Sequence, residues 1–231
     1  IKSCIVILSK QSEKARQIVA AIKSFGTPVV EVTYSTAFSQ TKDGYYSITD
    51  RETDYMKLFK EADLFAFKQV IYLDISECPA QQSSEPDTRS IFSLFYLIKS
   101  LVLTISRPIE LTVISSQVYR IAQNDHFSNA SMNAAFALVK NCALDYPHLS
   151  CRCIDIDFKT PVIRIIQELN TAPQKSSVVL RSGVRYIEQL CPFYENAFEQ
   201  HMKYDSSGVY VIAGGAGAMG LVIARHLLEH G

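Results

Sequence analysis

Apolar and polar positions along the chain switch repeatedly between two periods. Short β-branched runs are separated by longer stretches whose apolar residues recur on one helical face, and this alternation predicts βαβ units around a parallel sheet. Cys4–Leu8 reads as a buried strand and Ser12–Phe25 as a helix with Ile18, Val19 and Ile22 on one face. Gly26 stands where a helix stop takes a left-handed backbone, and Val29–Thr33 is the next strand. Residues 36–50 are polar and turn-rich, Glu52–Ala62 predicts a helix, and Gln69–Asp74 predicts another buried strand. After a loop over Ser76–Glu85, Pro86 and Asp87 open a helix reaching about Ile105. It is apolar nearly all round, the pattern of a helix packed between the sheet and a second surface. Ile109–Ser115 and Cys151–Ile156 predict two further strands separated by a helix over Ser131–Asp145, and Pro161–Leu169 predicts a helix with proline in its first turn.

The period then changes. Ser177–Arg181 and Val184–Ile187 flank Ser182-Gly183 in the spacing of a β-hairpin, an element absent from the preceding residues. Lys203–Gly208 is polar, and Val209–Ala213 reads as a strand leading into a glycine cluster and a helix over Met219–His230. Three segments follow: an α/β unit over 1–175, a hairpin and linker over 176–206, and the first strand, turn and helix of a second nucleotide-type fold over 207–231.

Composition narrows the function. Lys plus Arg and Asp plus Glu number 23 each, which removes the basic field that nucleic acid or an anionic membrane surface selects. With 48% hydrophobic and 20% charged residues, the chain has the apolar content for a sizeable core and not the profile of a disordered one. The most apolar helical stretch, Ile91–Ile105, is broken by Ser93, Lys99 and Ser100, short of the ~18 apolar residues a membrane span needs. The N-terminal run Ile1–Leu8 is too short for a secretory signal and lacks its cleavage site. Six cysteines (Cys4, Cys78, Cys142, Cys151, Cys153, Cys191) form neither a dense disulfide framework nor a CxxC pair. They read as reduced core thiols in a cytoplasmic protein with no nucleic-acid or membrane partner.

Glycine is the informative residue. Of 9 glycines, Gly208, Gly214, Gly215, Gly217, Gly220 and Gly231 crowd the C-terminal end. The run Val209-Tyr210-Val211-Ile212-Ala213-Gly214-Gly215-Ala216-Gly217-Ala218-Met219-Gly220 holds both a GxxGxxG and a GxGxxG spacing, directly after a predicted strand and opening a predicted helix. That context is the dinucleotide-binding corner: glycines permit a tight turn and close backbone approach to a pyrophosphate, while the helix N-terminus offers unpaired N–H groups. The competing reading is a glycine-rich turn that packs helix on strand without a ligand. The residue that selects NAD or NADP falls about 20 positions further on, beyond Gly231.

The first corner fails the same test, because Leu8-Ser9-Lys10-Gln11-Ser12 contains no glycine. A second test is the Ser, Tyr and Lys set of short-chain dehydrogenases, in which a strand-end Ser precedes a Tyr and, one helical turn later, a Lys. Ile114-Ser115-Ser116 supplies the strand end, but the Tyr and Lys positions fall on Phe127 and Ser131, ahead of the helix from Met132. A phenyl ring has no proton to donate and a hydroxyl is no ammonium, so these residues either keep a dehydrogenase pattern or match it by accident, and in both cases lack the means to reduce a carbonyl.

The chain resembles the ketoreductase domain of modular polyketide synthases, and more distantly that of animal fatty acid synthase. The matching stretches are Gln69–Asp74, Arg107–Ile114, Ala134–Pro147, Cys151–Asp157, the Val-Leu-Arg-Ser-Gly-Val-Arg-Tyr hairpin within Val178–Ile187, and Gly208–Gly220. They run through nearly the whole chain in order, and the hairpin ahead of a glycine-rich corner is the most discriminating. Ala213 departs from the Thr usual before the first glycine. The resemblance implies a degenerate Rossmann-like structural subdomain of the short-chain dehydrogenase type, followed by the start of a catalytic subdomain that binds NADPH. It implies that Gly214, Gly215, Gly217, Ala218, Met219 and Gly220 line the pyrophosphate. It further implies stereoselective reduction of a β-ketoacyl group on a phosphopantetheinyl acyl carrier protein, with the catalytic subdomain and other synthase domains as partners. The family's Ser, Tyr and Lys or Asn would lie after Gly231, so this segment alone is expected to be inactive. The alternative is a non-catalytic scaffold module of a multienzyme; a stand-alone nucleotide-binding protein is opposed by the hairpin motif.

Weaker patterns have blander accounts. Cys151 and Cys153 share a strand face, which with Cys142 or His148 could hold a metal, but small buried hydrophobes is the simpler reading. Asp155 and Asp157 also share one face and invite an acid/base reading; the simpler expectation is that one solvates the strand end and the other caps the turn before Pro161. His126 beside Asp125 reads as surface. His226 and His230, at i and i+4, place positive charge at a helix C-terminus. Tyr45, Tyr46 and Tyr194 have no supporting constellation.

Overall fold

The computed structural model describes residues 2–41, 44–63, 66–76, 88–121, 129–171, 177–192, 204–205 and 207–230. They divide into two compact units, Ile1–Glu188 and Gln189–Gly231.

In the first unit, β1 (Cys4–Leu8), β2 (Val29–Tyr34), β3 (Ser39–Gln40), β4 (Tyr45–Ile48), β5 (Gln69–Asp74), β6 (Ile109–Ser116), β7 (Leu149–Ile156), β8 (Ser177–Arg181) and β9 (Val184–Ile187) form one sheet in the order β3-β4-β2-β1-β5-β6-β7-β8-β9. The run from β4 to β8 is parallel throughout; β3 and β9 are antiparallel edges. Helices α1 (Glu13–Ser24) and α5 (Val162–Asn170) cover one face, packing Ile18, Ile22, Ile165 and Ile166 onto Val6, Ile71 and Ile154. On the other face α2 (Glu52–Glu61), α3 (Arg89–Thr104) and α4 (Ala130–Asp145) set Leu58, Leu94, Leu97 and Phe136 against Ile5, Val70 and Val113. Helices on both sides explain why the central strands β1, β5 and β6 are buried at every position.

Local chemistry fixes the ends of these elements. Ser12 Oγ accepts from the Ala15 amide at 3.2 Å and caps α1, which stops at Gly26 with φ +68°. The hairpin turn needs two left-handed residues, and Ser182 (φ +47°) and Gly183 (φ +85°) provide them. Below the sheet, Arg152, 1% exposed, donates to Glu110 at 2.9 Å and to the α5 carbonyls of Glu168 and Thr171 at 2.8 and 3.0 Å.

The expected strands β1 and β5 and both hairpin strands have the bounds read from the pattern. Four features differ. The polar segment 36–50 contains β3 and β4, strands too short for their alternation to stand out. The hairpin, expected in a connecting segment, extends the main sheet, because β8 pairs in parallel with β7. Val209–Ala213 is not a strand. Val209 and Val211 are 93% and 91% exposed, and a strand needs a neighbour to take its backbone hydrogen bonds. Pro161 is the N-cap of α5 and not a helical residue, while Pro86 and Asp87 lie outside the described residues. Among the described residues, no helix is long and apolar enough to cross a membrane. The outer side of α3 carries exposed Phe92, Phe95 and Leu103.

Candidate functional site

Two corners leading into a helix bear on nucleotide binding, one in each unit. In the first unit the strand order reverses at β1 and β5, and the crevice beyond their C-terminal ends is where open α/β sheets take a ligand. Here it is filled by the chain's own side chains. Lys10 Nζ lies 3.0 Å from Asp74 Oδ1, while Ser9 Oγ and Ser90 Oγ donate to Asp74 Oδ2 at 2.9 and 2.7 Å. The Asp74 side chain is fully shut off from water. Ser115 Oγ donates to the Asp74 carbonyl at 2.9 Å, and the Ser76 amide donates to Ser116 Oγ at 3.1 Å. An ammonium and a buried carboxylate thus occupy the first corner, where a phosphate would require bare backbone. Ser116 is tied to a main-chain amide, Ser131 is buried in the first turn of α4, and Phe127 lies outside the described residues.

The second corner has the opposite character. Gly214 adopts φ +76°, a left-handed conformation. The chain folds back on itself there: the Gly215 amide donates to the Ile212 carbonyl at 3.1 Å, and the Gly217 amide to the Gly214 carbonyl at 2.9 Å. Helix α6 (Ala218–His230) starts at once. A Cβ on Gly220 would come within 2.4 Å of the Gly214 carbonyl oxygen, so the helix's first turn lies directly on the corner. The amides of Ala218, Met219 and Gly220 belong to that first turn, which has no intrahelical acceptors for them. The turn therefore presents donors, a partial positive charge and little side-chain bulk, which fits a pyrophosphate.

The remaining candidates have structural partners. Asp155 is fully buried and not solvated; it accepts from the Val118 and Tyr119 amides at 2.9 and 2.8 Å and from Arg181 at 2.5 Å. Those donors hold the carboxylate where the strand-end position suggested water. Asp157 accepts from Thr160 Oγ1 at 2.5 Å and from the Ser182 amide at 2.8 Å, tying the turn before α5 to the hairpin. Cys142, Cys151 and Cys153 lie in the core, where burial pushes the Cys151 thiol up to about 12. No group of three or more His, Cys, Asp or Glu able to hold a metal occurs among the described residues. His226 and His230 stack with centroids 4.3 Å apart. Asp125, His126 and Tyr194 lie outside the described residues.

The sheet and the helices on its two faces form a Rossmann-like α/β fold. Known proteins similar to it include polyketide synthases in sequence and ketoreductase-containing structures in fold. Over 114 residues the chain is 28% identical to polyketide synthase PksN of Bacillus subtilis (strain 168), covering 48% of this chain and 2% of that protein. Among solved structures, it matches a keto acid-selecting NRPS module containing adenylation, ketoreductase and pseudo Asub domains, with TM-score 0.80 and 21% identity over 99% of this chain and 20% of that one. It also matches an N-terminal ketoreductase from the macrolactin assembly line, with TM-score 0.71 and 14% identity over 100% of this chain and 47% of that one. No family model matches. The chain spans a small part of the curated synthase and under half of each of these structures. The likeness read from the motifs is thus present in sequence to a polyketide synthase and in fold to ketoreductase structures.

Proposed function

We propose that residues 1–188 are the non-catalytic, dehydrogenase-like half of a polyketide synthase ketoreductase. In this reading 207–231 open the half that binds NADPH and reduces a β-ketoacyl group held by an acyl carrier protein. The observation that carries it is the contrast between the corners: Lys10 and Asp74 fill the first, while Gly214 and Gly220 leave the second bare. Gly214, Gly215, Gly217, Ala218, Met219 and Gly220 would hold the pyrophosphate through main-chain donors. Bound NADPH supplies the hydride; the residues of this segment contribute binding and orientation. The proton donor would belong to a Ser, Tyr and Lys or Asn set outside this segment, since Phe127 and Ser131 stand where the Tyr and Lys would fall and Ser116 accepts from the Ser76 amide.

The 231-residue chain is accordingly expected not to oxidise NADPH with a β-ketoacyl thioester. A parent segment longer by about 200 residues, one further domain, is expected to do so. Turnover by the 231-residue chain would overturn the reading, as would inactivity of a longer, folded segment that carries the full set.

A further inference from the structure

The loop that follows β6 and the β8–β9 hairpin border a cavity of about 200 Å³ lined by Tyr119, Arg120, Ile121, Ser177, Val179, Tyr186, Ile187 and Glu188. Its walls are largely apolar, and its size exceeds the ~150 Å³ that accommodates a benzene ring in an engineered protein cavity. The sheet leaves this space open because, among the described residues, α4 is the last helix on that face and β8 and β9 extend past it.

Beside the charged Arg120 and Glu188, two hydroxyls reach the cavity, and they converge. Tyr119 Oη and Ser177 Oγ are 3.5 Å apart, at the long limit of hydrogen bonding, so each hydroxyl can still donate to a third oxygen. Lys140 Nζ stands 5.5 Å from the centre of the Tyr119 ring and 2.7 Å from a Glu188 carboxylate oxygen. Burial lowers the affinity of that amine for its proton, but Glu188 and Tyr119 outweigh it and raise the pKa, which keeps Lys140 charged. Tyr119 is not free to swing. Its amide donates to Asp155 at 2.8 Å, its carbonyl accepts from Arg181 at 2.8 Å, and its ring packs on Phe136 with centroids 6.0 Å apart.

Two anchored hydroxyls at the edge of an apolar slot suit a carbonyl oxygen, and the charge of Lys140 is already matched by Glu188. We propose that this cavity binds a small apolar molecule carrying one neutral carbonyl group. Tyr119 and Ser177 donate to the carbonyl oxygen, and Ile121, Val179 and Tyr186 contact the apolar body. The site does not depend on the ketoreductase reading, since every residue in it belongs to the first unit.

Acetophenone serves as the probe, with ethylbenzene as the control of like shape without the oxygen and benzoate as the charged control. Titrated into the 231-residue chain and followed by methyl-resolved NMR, acetophenone is expected to shift the Ile121, Val179 and Ile187 signals saturably. Tyr119→Phe and Ser177→Ala should each weaken it about three- to tenfold, the worth of one hydrogen bond, and leave ethylbenzene unaffected. Tyr119→Phe keeps the ring on Phe136, and unchanged amide spectra elsewhere show that the variants fold. Absence of saturable shifts at these residues, equal affinity of acetophenone for wild type and both variants, or tighter binding of benzoate would each overturn the assignment.

Discussion

A methyl group on Gly220 would stand 2.4 Å from the carbonyl oxygen of Gly214 and 2.6 Å from the Cα of Gly215. The first turn of α6 and the corner before it therefore meet backbone to backbone, which no residue but glycine allows. At Gly214 itself a Cβ meets nothing within 4 Å, and the constraint is φ +76° alone. Gly214→Ala should cost the left-handed penalty of about 1–2 kcal/mol, whereas Gly220→Ala must push the helix off the turn. Amide hydrogen exchange over Leu221–Arg225 measures the difference: protection falls modestly in the first variant and much further in the second. Equal protection in both would contradict the close approach.

The plugged first corner makes a separate prediction. Returning a glycine to it, as Ser9→Gly, should not create NADPH binding, because Lys10 and Asp74 still occupy the crevice. Lys10→Met leaves the buried Asp74 carboxylate with two hydroxyl donors, Ser9 and Ser90. Breaking a buried pair costs roughly 3–5 kcal/mol; Lys10 is partly exposed and two donors remain, so a loss of about 1–3 kcal/mol is expected in urea unfolding. Adding Asp74→Leu should recover part of it, and a double-mutant cycle with no coupling would argue against the pair.

On the opposite side of the sheet, Arg152 neutralises Glu110 and closes the C-terminal carbonyls of α5. Arg152→Ala removes the guanidinium from both and leaves a carboxylate with 10% exposure. Lys2 Nζ at 3.6 Å, largely exposed, and the neutral donors Gln69 Nε2 at 3.0 Å and Thr112 Oγ1 at 3.3 Å are weaker replacements. A loss of about 3 kcal/mol or more is expected from chemical denaturation, and Glu110→Gln should cost less, since the amide still accepts from Arg152. The reverse ranking would mean that the α5 carbonyls matter little.

Most of the sheet could be read from the chain because its strands are local signals. Cys4–Leu8 and Gln69–Asp74 are apolar runs bounded by polar turns, and Ser182-Gly183 announces its own hairpin. The strands β3 and β4 were hidden because a two-residue strand and a tyrosine-rich one exist only through their pairing with each other and with β2. Val209–Ala213 erred in the opposite direction: strand propensity is not a strand without a neighbour. In the sites, the glycine corner is contiguous and visible, including the close approach that Gly220 requires. Lys10 with Asp74, and Tyr119 with Ser177 and Lys140, are joined only by the fold. Residues so far apart along the chain give no spacing to read.

Asp157 supplies the pH dependence. Burial alone would raise its carboxyl, but hydrogen bonds from Thr160 and from the Ser182 backbone and hydroxyl outweigh it and hold the group below the ordinary carboxylate range. A carboxyl with a lowered folded-state pKa stabilises the fold above its unfolded pKa of about 3.9. That contribution is lost as the pH falls through the folded value. Lys14, which donates to the Asp157 carbonyl at 3.4 Å and to Phe158 and Thr160 carbonyls at 2.6 and 2.8 Å, holds the same turn without titrating in that range. Asp157→Asn keeps the size of the side chain and removes the charge. Wild type should be the more stable of the two in urea near neutrality, and the gap should close between about pH 5 and about pH 2. A gap that stays constant across that range would show that Asp157 acts through shape alone, and one that widens on acidification would reverse the sign of its coupling to Thr160 and Ser182.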